Sequence, residues 1–412
     1  MKESGIEWIG EIPEEWNVRK MKYCGELDSN GVDKKQRDGE KLFKSVHYMD
    51  VYTNSLHEIG NSDDYLIISA DDKKAEMCTL KQGDVLLTTS SENPEDIGHS
   101  TEISEDLDKT LFGYHLMRFR ATMPLALHLR KYLIGSYLMR QWFEYRSVGM
   151  TRYGLSRSDI ADAKLILPPF AKQQQIASFL DTKCSLIDST IEKEREVIDK
   201  LKEYRQAVIT EAVTKGIRAG IPMKDSGVEW IGEIPEGWDV CRLKYLAWLQ
   251  RGYDLTSDEF VEGPYPVYGS NGIIGYHNKF MATAPGITIG RSGSVGEVQY
   301  ITQNFWPHNT SIYVKYFEKS IPHYIYYLLL TLDLKGVSSG SVVGSLDRKK
   351  IHDINVPKIQ EKEQQDIADY LDAKCSAIDA TIQKRELAIE KLTAYKQSLI
   401  YECVTGKKEV LG

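Results

Sequence analysis

The chain has 412 residues, 42% of them hydrophobic and 27% charged, which is enough for two or more domains with their own cores and ordinary for a globular protein. It holds no apolar run near the roughly 20 residues that cross a bilayer, and MKESGIEWIG is too charged and too poor in apolar length for a signal peptide, which predicts a cytoplasmic protein without membrane contact. The net charge of −8 excludes a uniformly basic nucleic-acid binder but leaves room for one basic face, because a ligand meets only the local field.

The chain opens on MKESGIEWIGEIPEEWNVRKMKY, and a variable stretch follows over about 17–170. Strand-like runs are predicted there at SVHYMDVYT, YLIIS, DVLLTT and HLMRFRA, then one helical stretch, LALHLRKYLIGSYLMRQWFEY. Candidate ligand contacts in this first head (1–170) are Ser90, Ser91 and Asn93, then Thr151, Arg152 and Tyr153 ahead of Arg157, all side chains that reach base edges or phosphates.

From 171 to 215 a helix is predicted, with apolar residues at Ile176, Leu180, Cys184, Ile187, Ile191, Ile198, Leu201, Val208 and Ala212. This spacing averages near 3.5, the period of a helix whose seam meets another helix. At 1.5 Å per residue such a helix is roughly 65 Å long, and it is not stable alone in water.

A short linker, 216–222, leads to the decisive feature. MKDSGVEWIGEIPEGWDVCRLKY begins at Met223 and repeats the opening at an offset of 222 residues, with about two-thirds of its positions identical. The helix returns at 361–406 with Ile367, Leu371, Cys375, Ile378, Ile382, Ile389, Leu392, Leu399 and Cys403 on its seam, Ile176 matching Ile367 at an offset of 191. The material between the repeated blocks is therefore 31 residues shorter in the second copy, and it hardly matches except where Leu155-Ser156-Arg157 aligns with Leu346-Asp347-Arg348. A repeated scaffold carries two different heads.

The second head (223–360) keeps the element order, with strands at GITIG, VGEVQYI and SIYVKYF before the helix IPHYIYYLLLTLDL. Its candidates lie in glycine-rich loops: Asn271 in YGSNG, then His277, Asn278 and Lys279, then Arg291, Ser292 and Ser294 in GRSGSVG. Ser338, Ser339, Ser341 and Ser345 precede Leu346, and Arg348, Lys349 and Lys350 follow it with charge suited to phosphates. Glycine lets a backbone approach a ligand closely, although tight turns without a ligand read the same way. None of these loops has the spacing of a nucleotide-binding signature.

The fold class is therefore α+β: two globular heads and two long helices in an internal pseudo-twofold repeat. Two helix arrangements are open, each packing on its own head or both pairing as an antiparallel coiled coil; pairing is preferred because a tandem repeat folds on itself most simply that way. Antiparallel pairing keeps Cys184 and Cys375 at opposite ends, and with Cys24, Cys78, Cys241 and Cys403 they are expected as reduced thiols, no spacing suiting zinc. It also sets Glu194 against Arg385, equivalent positions of opposite sign, unless both are simply solvated. Ala177, Thr190, Val197, Tyr204 and Ile209 lie off the seam, free to meet a head or a partner's helices.

SGxEWIGEIPExW, a variable head, then PP with QQI, FLD, K and ID opening a long helix, all repeated, resembles the HsdS-type specificity subunits of Type I restriction-modification enzymes over the whole chain; YGSNGIIGYHN and GRSGSVG belong to the same likeness. The resemblance implies that each head is a target recognition domain for one half of a bipartite, asymmetric site in double-stranded DNA. It implies that the helices set the spacer and dock two methyltransferase (M) subunits, and that restriction/translocase (R) subunits join them. S-adenosylmethionine and ATP belong to those partners, and no cofactor or metal is expected in this chain. Half-sites read in major grooves one turn, ~10 bp, apart leave a gap of roughly six or seven pairs.

Catalysis in this chain is not expected. The nearest approach to the Asn/Asp-Pro-Pro-aromatic motif of an amino-methyltransferase, Asn93-Pro94-Glu95-Asp96, lacks the second proline and the ring. The rival of another class is a helical scaffold whose heads bind protein.

Overall fold

The computed structural model describes residues 1–7, 9–54, 56–337 and 344–410. Its contacts form two compact units: Met1–Lys193 with the chain from Leu387 onward, and Glu194–Glu386. The compact units thus differ from the sequential division at 170 and 222, because each one combines a head with half of each long helix.

In the first unit the main sheet is antiparallel in the order Gly25–Asp28, Leu116–Ala121, Val85–Thr88 and Ser100–Ile103, with Glu58–Ile59 added in parallel at the edge. The central strand reads VLLT and is buried throughout, the pattern of a strand covered on both faces. A second sheet places Leu66–Ala70, Lys41–Val46, Leu107–Phe112 and Thr79–Leu80 side by side.

Two local expectations for this head are corrected. The run 45–53 is not all strand: it leaves the sheet at Val46 and forms a short helix, Tyr48–Tyr52, because the Asp50 carboxylate accepts a hydrogen bond from the His47 amide (2.7 Å) and so caps a helix start. The helical stretch 125–145 is two helices, Leu129–Ile134 and Tyr137–Arg146, divided where Ser136 caps the second by accepting from the Met139 amide.

The second unit repeats the main sheet with Ala247–Arg251, Ser311–Phe317, Gly286–Gly290 and Val298–Ile301 in the same order. Val314 faces Leu249 here as Phe119 faces Leu27 in the first unit. Its second sheet is smaller: Gly272–His277, Tyr265–Gly269 and Trp306–Pro307. The two heads therefore share the topology that their common element order predicts, although their sequences hardly match. In both, a parallel bridge closes the second sheet onto the first, Val32 to Gly113 and Tyr253 to His308. Gly31 to Gly113 spans 82 residues and Gly252 to His308 spans 56, so 26 of the 31 residues missing from the second head fall in this one region.

Each head is closed by a two-stranded neck, Asn17–Lys20 with Lys164–Leu167 and Asp239–Arg242 with Asn355–Lys358. From the neck the chain enters a long helix, Phe170–Lys215 or Glu361–Thr405. The helices stop at Gly216 and Gly406, whose φ of 76° and 75° is the left-handed conformation that glycine tolerates best. Trp238 covers Gly216 and Trp16 covers Gly406, so each repeated opening block caps a helix end in its own unit.

Within each unit an early part of one helix packs beside a late part of the other, which makes the pairing antiparallel. Ile176, Leu180, Cys184, Ile187 and Ile191 are buried in one cluster with Leu399, Cys403 and Val404. Ile367, Leu371 and Cys375 are buried with Val208, Ile209 and Ala212. Ile198, Ile378 and Ile382 are also buried, while Leu201, Ile389 and Leu392 are half-buried at the edge of the seam. The same clusters contain head side chains, so the helices pack on the heads and on each other at once, and Ala177 and Ile209 of the off-seam set serve the heads. Arg385 Nη1 donates to Glu194 Oε2 at 2.6 Å, so the two charges at mid-helix do face each other. All six cysteines are free thiols, and among the described residues no helix is long and apolar enough to cross a membrane.

Candidate nucleic-acid interface

Each head brings its candidate loops together at the end of its central strand. In the first, the strand after Val85–Thr88 continues as Ser90–Ser91 and pairs with Tyr153–Gly154, Ser90 facing Gly154 and Ser91 facing Tyr153. The Leu155 amide donates to Thr89 O (2.9 Å), and Arg152 Nη2 donates to Ser90 Oγ (3.0 Å). Candidates sixty residues apart in sequence thus meet on one surface, where Asn93, Thr151, Arg152 and Arg157 are exposed.

Ser91 is corrected from a contact residue to a turn residue: it is 7% exposed, and its Oγ accepts from the Asn93 amide. Tyr153 is half-buried and packs against the core. The sequence reading missed the tip that these strands present. Val148 and Gly154 exchange backbone hydrogen bonds, which turns the chain back and leaves Val148 80% and Met150 95% exposed beside Arg152. It also missed Tyr48, whose hydroxyl lies against Ser91 and whose pKa is raised by burial and then by Asp96. His115, on which Tyr114 packs with ring centroids 3.9 Å apart, completes the surface.

His115 is held below the ordinary imidazole value of 6.5 by burial and then by Arg152 and Lys34. His47 and His57 of the same unit are also lowered, burial leading in each case. In the second unit burial lowers His352 in the same way. A histidine kept neutral by the fold is protonated first in the unfolded chain, so its contribution to stability is complete above the unfolded pKa of about 6.5 and is lost as pH falls through it. Buried Glu102, whose carboxyl is pushed up by burial, acts in the opposite sense, one carboxyl against three imidazoles. Acidification from about pH 7.5 to about 5.5 is therefore expected to loosen the first unit more than the second. Hydrogen exchange on the full chain at the two pH values, corrected for intrinsic rate, checks it; equal losses in the two units would refute it.

The second head builds the same corner from other residues. Gly286–Gly290 leads into Arg291 and Ser292, the Leu346 amide donates to Arg291 O (2.9 Å), and Ser292 bridges Ser345. Arg291 donates its amide to Thr310 O (2.9 Å) and Nη1 to Asn309 O (3.4 Å), which adds Asn309 and Thr310 to the surface. The hairpin tip that holds Asn271 sits against this loop: a side chain on Gly290 would begin 2.6 Å from Ser270 O and 1.9 Å from Ser294 O. Asn271, Arg291, Ser292 and Ser294 are thus gathered in one place. Ser338, Ser339 and Ser341 lie outside the described residues.

His277, Asn278 and Lys279 do not join them. They lie at the far end of the six-residue strand Gly272–His277, roughly 17 Å from the tip at strand rise. His277 is 5% exposed, its Nδ1 accepts from the Val261 amide (3.1 Å) and its ring meets the edge of Trp306, so it is a core residue and not a contact. Arg348, Lys349 and Lys350 begin the short helix Arg348–His352, as Arg157 begins Arg157–Ala161, with Lys349 and Lys350 exposed. The negative net charge thus coexists with Arg152, Arg157, Arg291 and this basic turn at the two corners.

Comparison with known proteins agrees in both halves of the chain. A family model for the Type I restriction modification DNA specificity domain matches residues 13–203 and again 235–391. The chain is similar to the putative type I restriction enzyme MjaX specificity subunit of Methanocaldococcus jannaschii, 25% identical over 425 residues that cover 98% of this chain and 96% of that one. It is 43% identical over 101 residues to the type I restriction enzyme EcoBI specificity subunit of Escherichia coli, covering 24% of this chain and 21% of that one. Among solved structures it resembles a chain from work on complex assembly and conformational transition of the type I R-M system, with a TM-score of 0.74 at 15% identity over 97% of this chain and all of that one. The HsdS subunit from Thermoanaerobacter tengcongensis matches with a TM-score of 0.52 at 15% identity, over 99% of this chain and all of that one. At such identity these two likenesses speak for the fold alone.

Proposed function

The chain belongs to the family of Type I restriction modification DNA specificity proteins, and from that premise we propose that each of its heads reads one half of a bipartite, asymmetric sequence in double-stranded DNA. The observation that carries this reading is the pair of equivalent corners with unlike side chains, Ser90, Asn93, Arg152 and Met150 on one head, Asn271, Arg291, Ser292 and Asn309 on the other. Phosphate contacts from arginine and lysine position a protein on the duplex, and polar and apolar groups at the loop tips discriminate base edges. Met150 and Val148 suit the methyl group of thymine or an unstacked base step.

The long helices set the gap between the half-sites and dock two methyltransferase subunits. Those subunits bring S-adenosylmethionine, R subunits bring ATP-driven translocation and cleavage, and this chain catalyses nothing itself. It works in the cytoplasm, where DNA and both cofactors are.

The test is single-molecule sequencing of methylated adenines in a host that expresses the chain with its methyltransferase partner. Two unlike half-sites a few base pairs long, separated by a constant gap, are expected. Methylation without such a pattern in the assembled complex would overturn the proposal.

A further inference from the structure

Although the heads share little sequence, both dock on their long helix through the same side chains. In the first unit Tyr132 donates its hydroxyl hydrogen bond to Asp181 Oδ1 (2.8 Å), and His128 Nδ1 lies 3.4 Å from Oδ2. In the second, Tyr327 donates to Asp372 Oδ1 (2.6 Å), and His323 Nδ1 lies 3.1 Å from Oδ2. Both heads present His-x-x-x-Tyr, a spacing that puts the two rings one turn apart on a helix, and both long helices receive it on Asp-x-x-Cys. The buried thiols of Cys184 and Cys375 sit against the same tyrosine hydroxyls.

Seven residues further along each helix a second aspartate takes a cation from the other helix. Asp188 pairs with Lys396 (2.7 Å) and Asp379 with Arg205 (2.9 Å). Two turns of each helix thus tie the helix pair on one side and the head on the other.

We propose that Tyr132 with Asp181 and Tyr327 with Asp372 are positioning contacts that fix the angle at which each head is held on the helices, and through it the gap that the protein accepts between half-sites; this rests on the function proposed above. The apolar parts of both tyrosines are buried in the head-to-helix clusters, and burial alone leaves a head free to rock on a greasy surface. A hydrogen bond to a carboxylate is directional and removes that freedom. The contacting aspartates are a third or more exposed, so the bond adds little to stability, and its retention in two otherwise divergent heads fits an orienting role.

The experiment uses the full chain assembled with its methyltransferase partner and compares wild type with Tyr132→Phe, Tyr327→Phe and the double variant, which keep the rings. The readout is sequencing of methylated adenines, scored for half-sites and for gap separately. Each single variant is expected to keep both half-sites but to lower the preference for the native gap over gaps one base pair longer or shorter by up to about tenfold, the factor set by one lost hydrogen bond to a charged acceptor, and the double variant by more. Asp181→Asn with Asp372→Asn, which retains an acceptor, is expected to keep more of that preference than Asp181→Ala with Asp372→Ala. An unchanged gap preference in the double Phe variant, or methylation that falls equally at every gap, would overturn the positioning role. A wild-type complex without any two-part gapped pattern would instead defeat the functional reading, and the positioning role with it.

Discussion

Alanine at Gly252 is expected to destabilise the second unit by about 2–3 kcal/mol and to abolish methylation of the bipartite site, while the first unit stays protected in hydrogen exchange. A Cβ at this position would lie 2.1 Å from His308 O and 2.6 Å from Pro307 O. Both are backbone atoms, so no rotamer change relieves the collision. The strand must move, and with it the hydrogen bonds from the Gly252 amide to Ser311 O and from the Tyr253 amide to Pro307 O. The displaced turn is the one that holds Arg291 through Thr310 O and Asn309 O, so damage to the fold passes directly into the candidate interface. Gly31→Ala should do the same to the first head, because its Cβ would lie 2.2 Å from Gly113 O. Gly237→Ala, with nothing within 4 Å of the added carbon, serves as the neutral control. Thermal unfolding and exchange protection of the three variants check the prediction; if Gly252→Ala behaves like Gly237→Ala, the close approach is not real.

Gly31 and Gly252 also show where sequence reasoning stopped. The helix seam was legible because its period is local: Ile176 to Ile191 and Ile367 to Ile382 carry the pattern within a few turns, and the offset between the copies then put Glu194 opposite Arg385. The heads were not legible in the same way. Their common sheet depends on pairings such as Lys164 with Lys20 and Asn355 with Arg242, across more than a hundred residues, and nothing local marks such partners. The repeated His-x-x-x-Tyr could have been found, but it recurs at an offset of 195 residues, between the offsets of the blocks around it, because the shortening in the second head falls mostly upstream of it. Polarity misled at His277, whose neighbours Asn278 and Lys279 suggest a loop although its ring fills the core beside Trp306. Candidate loops were recognisable from glycine and hydroxyl content, yet only the fold showed that Ser90 meets Arg152 and that Ser270 meets the 290–294 turn.

Exchange of one head for that of another family member is expected to change one half-site completely and leave the other half-site and the gap as they were. The structure sharpens where the exchange should be cut. A junction at 350 would divide the helix Arg348–His352, whose Ile351 is fully buried and whose His352 Nε2 accepts from the Leu249 amide in the main sheet. The buried end of that helix and the strand whose amide it accepts from would then come from different proteins, and a buried donor left unsatisfied costs about 1–3 kcal/mol. The neck avoids this. Asp239–Arg242 and Asn355–Lys358 pair with each other through backbone hydrogen bonds, which any sequence makes, so exchanging 243–354 crosses no side-chain contact of the sheet ladder itself. What stays behind is the neck and the long helix with Asp372 and Cys375; what arrives must bring its own His-x-x-x-Tyr to dock there. The expected result is therefore conditional on that motif. A donor head that carries it should give a new half-site at the original gap, and the same head with its tyrosine changed to phenylalanine should give the new half-site at relaxed gaps. Sequencing of methylated adenines reads both properties in one measurement. A change in both half-sites after the exchange of 243–354 would refute the assignment of one half-site to each head.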